Sequence, residues 1–357
     1  MDYTEKVNLE NKRKLNALLK ELPKFCSDYF RYLDTRNTSS RTRLAYAYDL
    51  RLFFQFIQQN NPVYAGKPMR DIPISVLDQL TTTDIEEYLA YLSFYENDDG
   101  TEKTNGEKGK SRKLSALRTM YNYFFKKGFI ATNAPSMIET PKKHKDNIIH
   151  LDKDEVSDLI TAAENGNSMT TRQLSLHEKT KYRDTAILTL LLGTGVRVSE
   201  LVGLDVKDVN FKYNSIRVIR KGGNESTVYF GDEVSAALME YLELERASMA
   251  EKAAPEHADA LFLSLKYTRL TTRAVEMLVK KYSNAANINK KITPHKLRST
   301  YGTNLYKETG DIYLVADALG HKSVETTRQH YAATDEERRR LAGKFSGSIF
   351  NAKKEES

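Results

Sequence analysis

The sequence predicts a mainly α-helical protein of two domains, the second carrying a small antiparallel β-sheet. Three observations lead there. The chain has 357 residues, more than one hydrophobic core ordinarily serves. Apolar residues recur at helical spacing along most of it, as with Leu44, Leu50, Phe53, Phe54 and Ile57. Only the stretch 208–230 is rich in β-favouring residues, and it is interrupted by Lys221-Gly222-Gly223-Asn224, a good hairpin turn.

Residues 1–25 read as a charged N-terminal helical extension that ends near Pro23. A helical domain over 26–134 follows. Its helices run from Arg41 to about Gln58 with Ser39 or Ser40 as N-cap, and from Thr83 to Tyr95 with Thr83 as a cap. Residues 97–109 read as a flexible loop, after which Ser111 caps a helix that reaches Lys127 and is closed by Gly128. Pro135, Pro141, Lys142, Lys143 and Lys145 mark 135–150 as a basic interdomain linker.

The second domain, 151–343, opens with a helix from Asp152 to about Glu164 and a polar insertion to Lys181. The run Asp184 to Leu192 is almost wholly apolar, which predicts a central core helix. Strands are expected at Asp208–Tyr213, Ser215–Arg220 and Glu225–Phe230, then helices at Glu233–Met249, Thr272–Ala286, Pro294–Glu308, Asp311–Leu319 and Asp335–Leu341. Residues 344–357 form a C-terminal tail with Phe345, Ile349 and Phe350.

Lys plus Arg number 55 against 48 Asp plus Glu, a net charge of +7 that suits a polyanionic partner without requiring one. The single cysteine, Cys26, excludes an intrachain disulfide and a cysteine-rich metal site, and suits a reducing cytoplasm. No apolar run follows the N-terminus as in a signal peptide, and no stretch is long enough to span a bilayer. The expectation is a cytoplasmic protein with no membrane association.

Five short segments carry possible chemistry. In Gly193-Thr194-Gly195-Val196-Arg197-Val198-Ser199-Glu200-Leu201 an apolar helix ends at glycine, and Arg197 starts the next helix with Glu200 three residues on to hold its guanidinium. Thr293 and Pro294 start a helix on which His295 and Arg298, at i and i+3, share a face. Gly320 ends a helix just before His321. Tyr331 stands ten residues after His321, and Lys221 sits at the hairpin tip. Taken singly, each is a surface ion pair, a solvated turn or a half-buried tyrosine.

In their order along the chain, Arg197, Lys221, His295 with Arg298, Gly320-His321 and Tyr331, the five segments resemble the tyrosine recombinase family, the phage-type integrases. Thr42, Tyr46, Asp49, Leu50 and Phe53 resemble the first helix of that family's core-binding domain, and 111–118 its last. The likeness covers about residues 20–343 and is greatest to the Xer group, in particular to the single-protein Xer recombinases of streptococci and lactococci. It implies a helical core-binding domain followed by a tyrosine-recombinase catalytic domain. Carried over by position, it makes Arg197, Lys221, His295, Arg298, His321 and Tyr331 catalytic, Tyr331 the nucleophile and Glu200 a supporting carboxylate. Ser299 follows Arg298 where the family commonly has histidine, and nine residues between Gly-His and Tyr are commoner than ten.

The implied chemistry explains the residue types. Tyrosine, with a pKa of about 10, is a poor nucleophile at neutral pH. Arginines and imidazoles around one phosphate stabilise both the phenolate and the pentacoordinate transition state. Lys221 on a hairpin can protonate the leaving 5′-oxygen. No cofactor is called for, and His295, His321 and His330 lack the accompanying carboxylate or cysteine spacing of a zinc site. DNA-contacting candidates are Arg41 and Arg43, with Lys110, Arg112, Lys113 and Arg118 in the basic stretch 101–127. The implied partners are double-stranded DNA bearing a specific target site and three further copies of the chain, as a homotetramer on two duplexes. Rival readings are a mobile-element integrase, a type IB topoisomerase and a non-catalytic DNA-binding protein.

Overall fold

The computed structural model describes residues 3–96, 100–140, 149–220, 223–321 and 323–331, and the chain falls into two compact units, 1–145 and 146–357.

The first unit is a helical bundle: α1 (Tyr3–Glu21), α2 (Cys26–Thr35), α3 (Ser40–Asn60), α4 (Val76–Gln79), α5 (Thr82–Tyr91), α6 (Glu107–Lys126) and α7 (Ala134–Met137). Strands β1 (Tyr95–Glu96) and β2 (Glu102–Lys103) form a short antiparallel hairpin, β2 within the stretch read as loop and β1 starting at Tyr95, where the preceding helix was expected to end, because that helix stops at Tyr91. Leu15, Leu18 and Leu22 carry α1 into the same core as α3, so the charged N-terminal helix packs as part of this unit. The sequence reading assigned no helix at α2, although Cys26, Tyr29, Phe30 and Leu33 recur at i, i+3, i+4 and i+7 and are all buried. Aromatic rings fill the centre, with Phe53 edge-on to Tyr88 at 5.1 Å and Phe25 edge-on to Phe124 at 5.4 Å.

Two helix starts differ from expectation. For α5 the cap is Thr81, not Thr83, because Thr81 and Asp84 satisfy one another's backbone N–H groups in a capping box. Helix α6 begins at Glu107 after an extended Gly106, so Ser111 lies a full turn inside it and is buried. Ser39, by contrast, is the cap of α3 and accepts from the Thr42 N–H at 3.2 Å.

The second unit surrounds α10 (Lys181–Thr194), whose Ala186, Ile187, Leu188, Leu190 and Leu191 are all buried. Against it pack α8 (Lys153–Asn165), α12 (Asp232–Tyr241) and α16 (Pro294–Thr309). Asp152 caps α8 in a box with Glu155, and Gly166 closes it with φ +68°. The polar insertion contains the short helix α9 (Thr171–His177). Helix α11 (Val198–Leu201) leads to β3 (Val209–Asn210), β4 (Ser215–Ile219) and β5 (Glu225–Tyr229), an antiparallel sheet in that order. Ile216, Val218 and Val228 bury its inner face, and the register pairs Ile216 with both Val209 and Val228. The expected first strand is thus shortened to two residues. A π-helical turn, Leu242–Arg246, joins α12 to α13 (Ala247–Ala250), and α14 (Pro255–Ala258), α15 (Thr272–Ala285), α17 (Ile312–Ala318) and α18 (Val324–Tyr331) complete the unit. The expected helix at Asp335–Leu341 and the tail 344–357 lie outside the described residues.

A buried polar network stitches this unit together. Asp184 accepts from Arg183 Nη2 at 2.6 Å, Lys281 Nζ at 3.0 Å and the Tyr282 hydroxyl at 2.9 Å. Burial alone would raise the Asp184 pKa, but the cations Arg183 and Lys281 outweigh it and hold the carboxyl below its ordinary value. Buried His177 shares the Tyr282 hydroxyl through Nδ1 at 3.1 Å, and its pKa is lowered by burial and by Lys281.

Candidate active site in the second unit

The site is assembled where α10 ends, α11 and α16 begin and α17 ends. Gly195 closes α10 at φ +60°, and a Cβ there would lie 2.4 Å from Cδ1 of Tyr301. The carbonyl of Gly195 accepts from Nη1 of Arg298 at 2.5 Å. Two residues on, Arg197 is the N-cap of α11 and is held twice by Glu200, whose Oε2 accepts from the Arg197 backbone N–H at 2.9 Å and Oε1 from Nη1 at 2.8 Å. The Glu200 side chain is buried, whereas that of Arg197 is 32% exposed.

Arg298 projects from the first turns of α16, which start at Thr293 with Pro294 at a position where its missing N–H costs nothing. It is 4% exposed and donates through Nη2 to the carbonyl of Leu319. Arg197 donates through Nη2 to the next carbonyl, that of Gly320, at 3.2 Å. Both arginines therefore meet the C-terminal end of α17, where the helix leaves its last carbonyls unpaired and carries partial negative charge. Gly320, at φ +58°, turns the chain there. His321 follows, its N–H bonded to the Ala316 carbonyl at 2.9 Å and its Nδ1 2.7 Å from the Thr327 hydroxyl on α18. His295 is exposed on the first turn of α16, three residues before Arg298. Tyr331 is the last residue of α18, a helix that packs on α17. Lys221 lies outside the described residues.

A third guanidinium joins this cluster, and the sequence reading passed over it. Arg220, at the end of β4, donates through Nη2 to the Ala318 carbonyl at 3.2 Å, and through Nη1 to the Leu319 carbonyl and to Glu200 Oε2, each at 3.4 Å. An arginine beside Lys-Gly-Gly reads in sequence as a solvated turn residue. Nothing local announces partners almost a hundred residues away.

In the first unit the proposed DNA-contacting residues divide into two kinds. Arg41 and Arg112 are exposed. Lys110 donates to the Ser93 hydroxyl at 2.5 Å, Arg43 pairs with Asp34, and Arg112 pairs with the buried Asp49. Lys113 and Arg118 are corrections to an open basic face. Lys113 is buried, 3.7 Å from Asp49 and 3.0 Å from the Asn105 side-chain oxygen. Arg118 is bound to the carbonyls of Pro135 and Ile138 and to the Thr140 hydroxyl, which ties down the chain beyond α7. On α6 the exposed or half-buried polar stripe is Lys108, Arg112, Ser115, Thr119, Asn122 and Lys126, at helical spacing.

Among the described residues no three His, Cys, Asp or Glu side chains gather as metal ligands, and no helix is long and apolar enough to cross a membrane.

These features define a class. Residues 150–338 match the phage integrase family, and the chain belongs to it: it is a tyrosine recombinase, an enzyme that cleaves and rejoins DNA strands. Its similarity is to Xer recombinases in particular. It is 32% identical over 346 residues to the tyrosine recombinase XerC of Caldanaerobacter subterraneus subsp. tengcongensis, covering 93% of this chain and 90% of that one. It is 31% identical over 352 residues to the tyrosine recombinase XerS of Streptococcus pneumoniae, covering 92% and 97%. In fold it matches the crystal structure of the XerH site-specific recombinase bound to palindromic difH substrate, at TM-score 0.62 and 21% identity, with 96% of each chain covered.

Proposed function

We propose that this chain is a site-specific recombinase that acts on double-stranded DNA through a 3′-phosphotyrosyl intermediate on Tyr331, and that it serves Xer-type resolution of chromosome dimers in the cytoplasm. The observation that carries the reading is the convergence of Arg197 and Arg298 on adjacent carbonyls at the end of α17, with His321 next in the chain.

The geometry suits phosphoryl transfer. Two guanidiniums held at one place by a buried carboxylate and by backbone carbonyls form a preorganised cationic cradle, which needs little reorganisation as charge develops on the phosphate. Each guanidinium has five N–H donors, and Arg197 is partly open to solvent, so it can bind a phosphate while still bonded to Glu200. Tyr331 attacks phosphorus, the 5′-oxygen leaves, and the bond energy is kept in the phosphotyrosyl ester, so rejoining needs no nucleotide. His295 and His321 donate N–H hydrogen bonds to the same phosphate, and Lys221 protonates the leaving oxygen. The first unit, taken as the core-binding domain, meets the DNA backbone through Arg41 and the polar stripe of α6. Four protomers, one per half-site, assemble on two duplexes. The XerH structure with its difH substrate and the Xer names of the relatives support the DNA partner and the Xer role.

The test is recombination of a supercoiled plasmid carrying two direct copies of the target site, expected as a palindrome of about 30 base pairs made of two half-sites. Two smaller circles should form in EDTA without nucleotide. A strict magnesium requirement for cleavage, or relaxation of supercoils without exchange, would overturn the proposal.

A further inference from the structure

We propose that Arg220 is a positioning residue for protonation of the leaving group: it pins the root of the hairpin that carries Lys221 to the end of α17 and to the carboxylate that holds Arg197. The inference rests on the reading of Lys221 as the general acid.

Arg220 is fixed through backbone and side chain at once. Its N–H donates to the Asn224 carbonyl at 2.8 Å and its carbonyl accepts from Gly223 at 3.0 Å, so it closes the hairpin turn. Its side chain, 11% exposed, reaches the Ala318 and Leu319 carbonyls and Glu200. Its Nε is buried without a hydrogen-bond partner, an arrangement that costs stability. The fit is also close: a Cβ on Gly320 would lie 2.8 Å from Cζ of Arg220. Lysine, with a single ammonium, could not bridge two carbonyls and a carboxylate in this fan.

The partners are those of the catalytic arginines. Arg220 and Arg298 share the Leu319 carbonyl, and Arg220 and Arg197 share Glu200. The next residue in the sequence is Lys221. The pivot of the hairpin is thereby set in the same frame as the groups that bind the phosphate. In the step concerned, the Tyr331 oxygen bonds to phosphorus as the bond to the 5′-oxygen breaks. The phenol proton passes to an active-site imidazole, and the Lys221 ammonium gives a proton to the 5′-oxygen and becomes an amine. Loosening Arg220 misplaces that donor while the charges on the non-bridging oxygens stay stabilised.

Cleavage rates of R220A, R220K, K221A and R197A would be measured on nicked duplexes, one with the ordinary 5′-oxygen and one with sulfur in its place, a leaving group that needs no proton. R220A should be about 10–100-fold slow on the oxygen substrate, as misplacement of a reacting group by about 1 Å costs, and within a few-fold of the parent on sulfur. R220K should be slow in the same pattern, which keeps the test valid if R220A folds poorly. R197A should be slow on both. If K221A is rescued by sulfur and neither Arg220 variant is, Arg220 acts on the phosphate or on the fold and the proposal is wrong. If K221A is not rescued, Lys221 is not the acid, and that underlying reading falls, taking the proposal with it. Parent-like rates of both Arg220 variants on oxygen would also overturn it.

Discussion

Replacing Glu200 by glutamine keeps the size of the side chain and removes its charge, while alanine removes both. In the parent, Oε1 accepts from Arg197 Nη1 at 2.8 Å, Oε2 from the Arg197 N–H at 2.9 Å, and Arg220 Nη1 stands 3.4 Å away. A hydrogen bond to a charged group contributes about 1.5–3 kcal/mol. Arg197 is a third exposed, so water replaces part of what it loses, and the Arg220 contact is long. Together these put Glu200→Gln at about 2 kcal/mol. Glu200→Ala should cost about 1 kcal/mol more, since a backbone N–H then loses its acceptor. In a unit of this size, 2 kcal/mol lowers Tm by about 4–8 °C. If the same interaction energy sets the aim of Arg197 in the transition state, cleavage slows about 30-fold. Calorimetry and single-turnover cleavage of a nicked duplex read the two effects, and half-site binding should be unchanged. Both variants showing Tm within about 1 °C and rates within about 2-fold of the parent would refute the idea that Glu200 holds the arginine pair.

Two other perturbations follow from the structure of the second unit. Gly195→Ala should destabilise the second unit by more than 1 kcal/mol and slow cleavage, because φ is +60° and the new Cβ would meet Tyr301 at 2.4 Å; a stability equal to the parent's would contradict this. For pH, His177 and Asp184 both have folded-state pKa values below their ordinary ones. The contribution of His177 is therefore complete above about pH 6.5 and is lost as pH falls from there through its lowered folded value, and that of Asp184 begins to fall only below about pH 3.9. Urea midpoints of the second unit should drop on acidification from about pH 6.5, and His177→Gln should flatten that first slope; an unaltered slope would exclude His177 as its source.

Much of the second unit was legible because its signals are local. The unbroken apolar run of α10 has no polar face to offer solvent, and Thr293-Pro294 places a favoured N-cap residue and a favoured first helical residue in succession. The order of Arg197, His295, Arg298, His321 and Tyr331 was legible as a resemblance, since each residue taken alone reads as an ordinary surface group. What sequence could not show depends on distant partners. A basic residue on α6 looks the same whether it faces water, as Lys108 does, or is buried against Asp49, as Lys113 is. Arg118 looked like a DNA contact until the Pro135 and Ile138 carbonyls were placed around it. Arg220 was invisible for the same reason, because its carbonyl partners lie 98 and 99 residues further on. The cap of α5 was a nearer miss: three successive threonines offer three starts, Thr81 and Thr83 each have a carboxylate three residues on, Asp84 and Glu86, and the helix forms its capping box at Thr81.

The central claim is that Tyr331 carries the broken DNA strand, and trapping that bond tests it most directly. Incubated with a duplex nicked near the cleavage position, so that the released fragment diffuses away, the full-length protein should accumulate an adduct that survives denaturant. Peptide mapping should place the nucleotide on Tyr331, and Tyr331→Phe should form no adduct while still binding the half-site. An adduct that persists in Tyr331→Phe, or that maps to Tyr306 or Tyr313, would contradict the account.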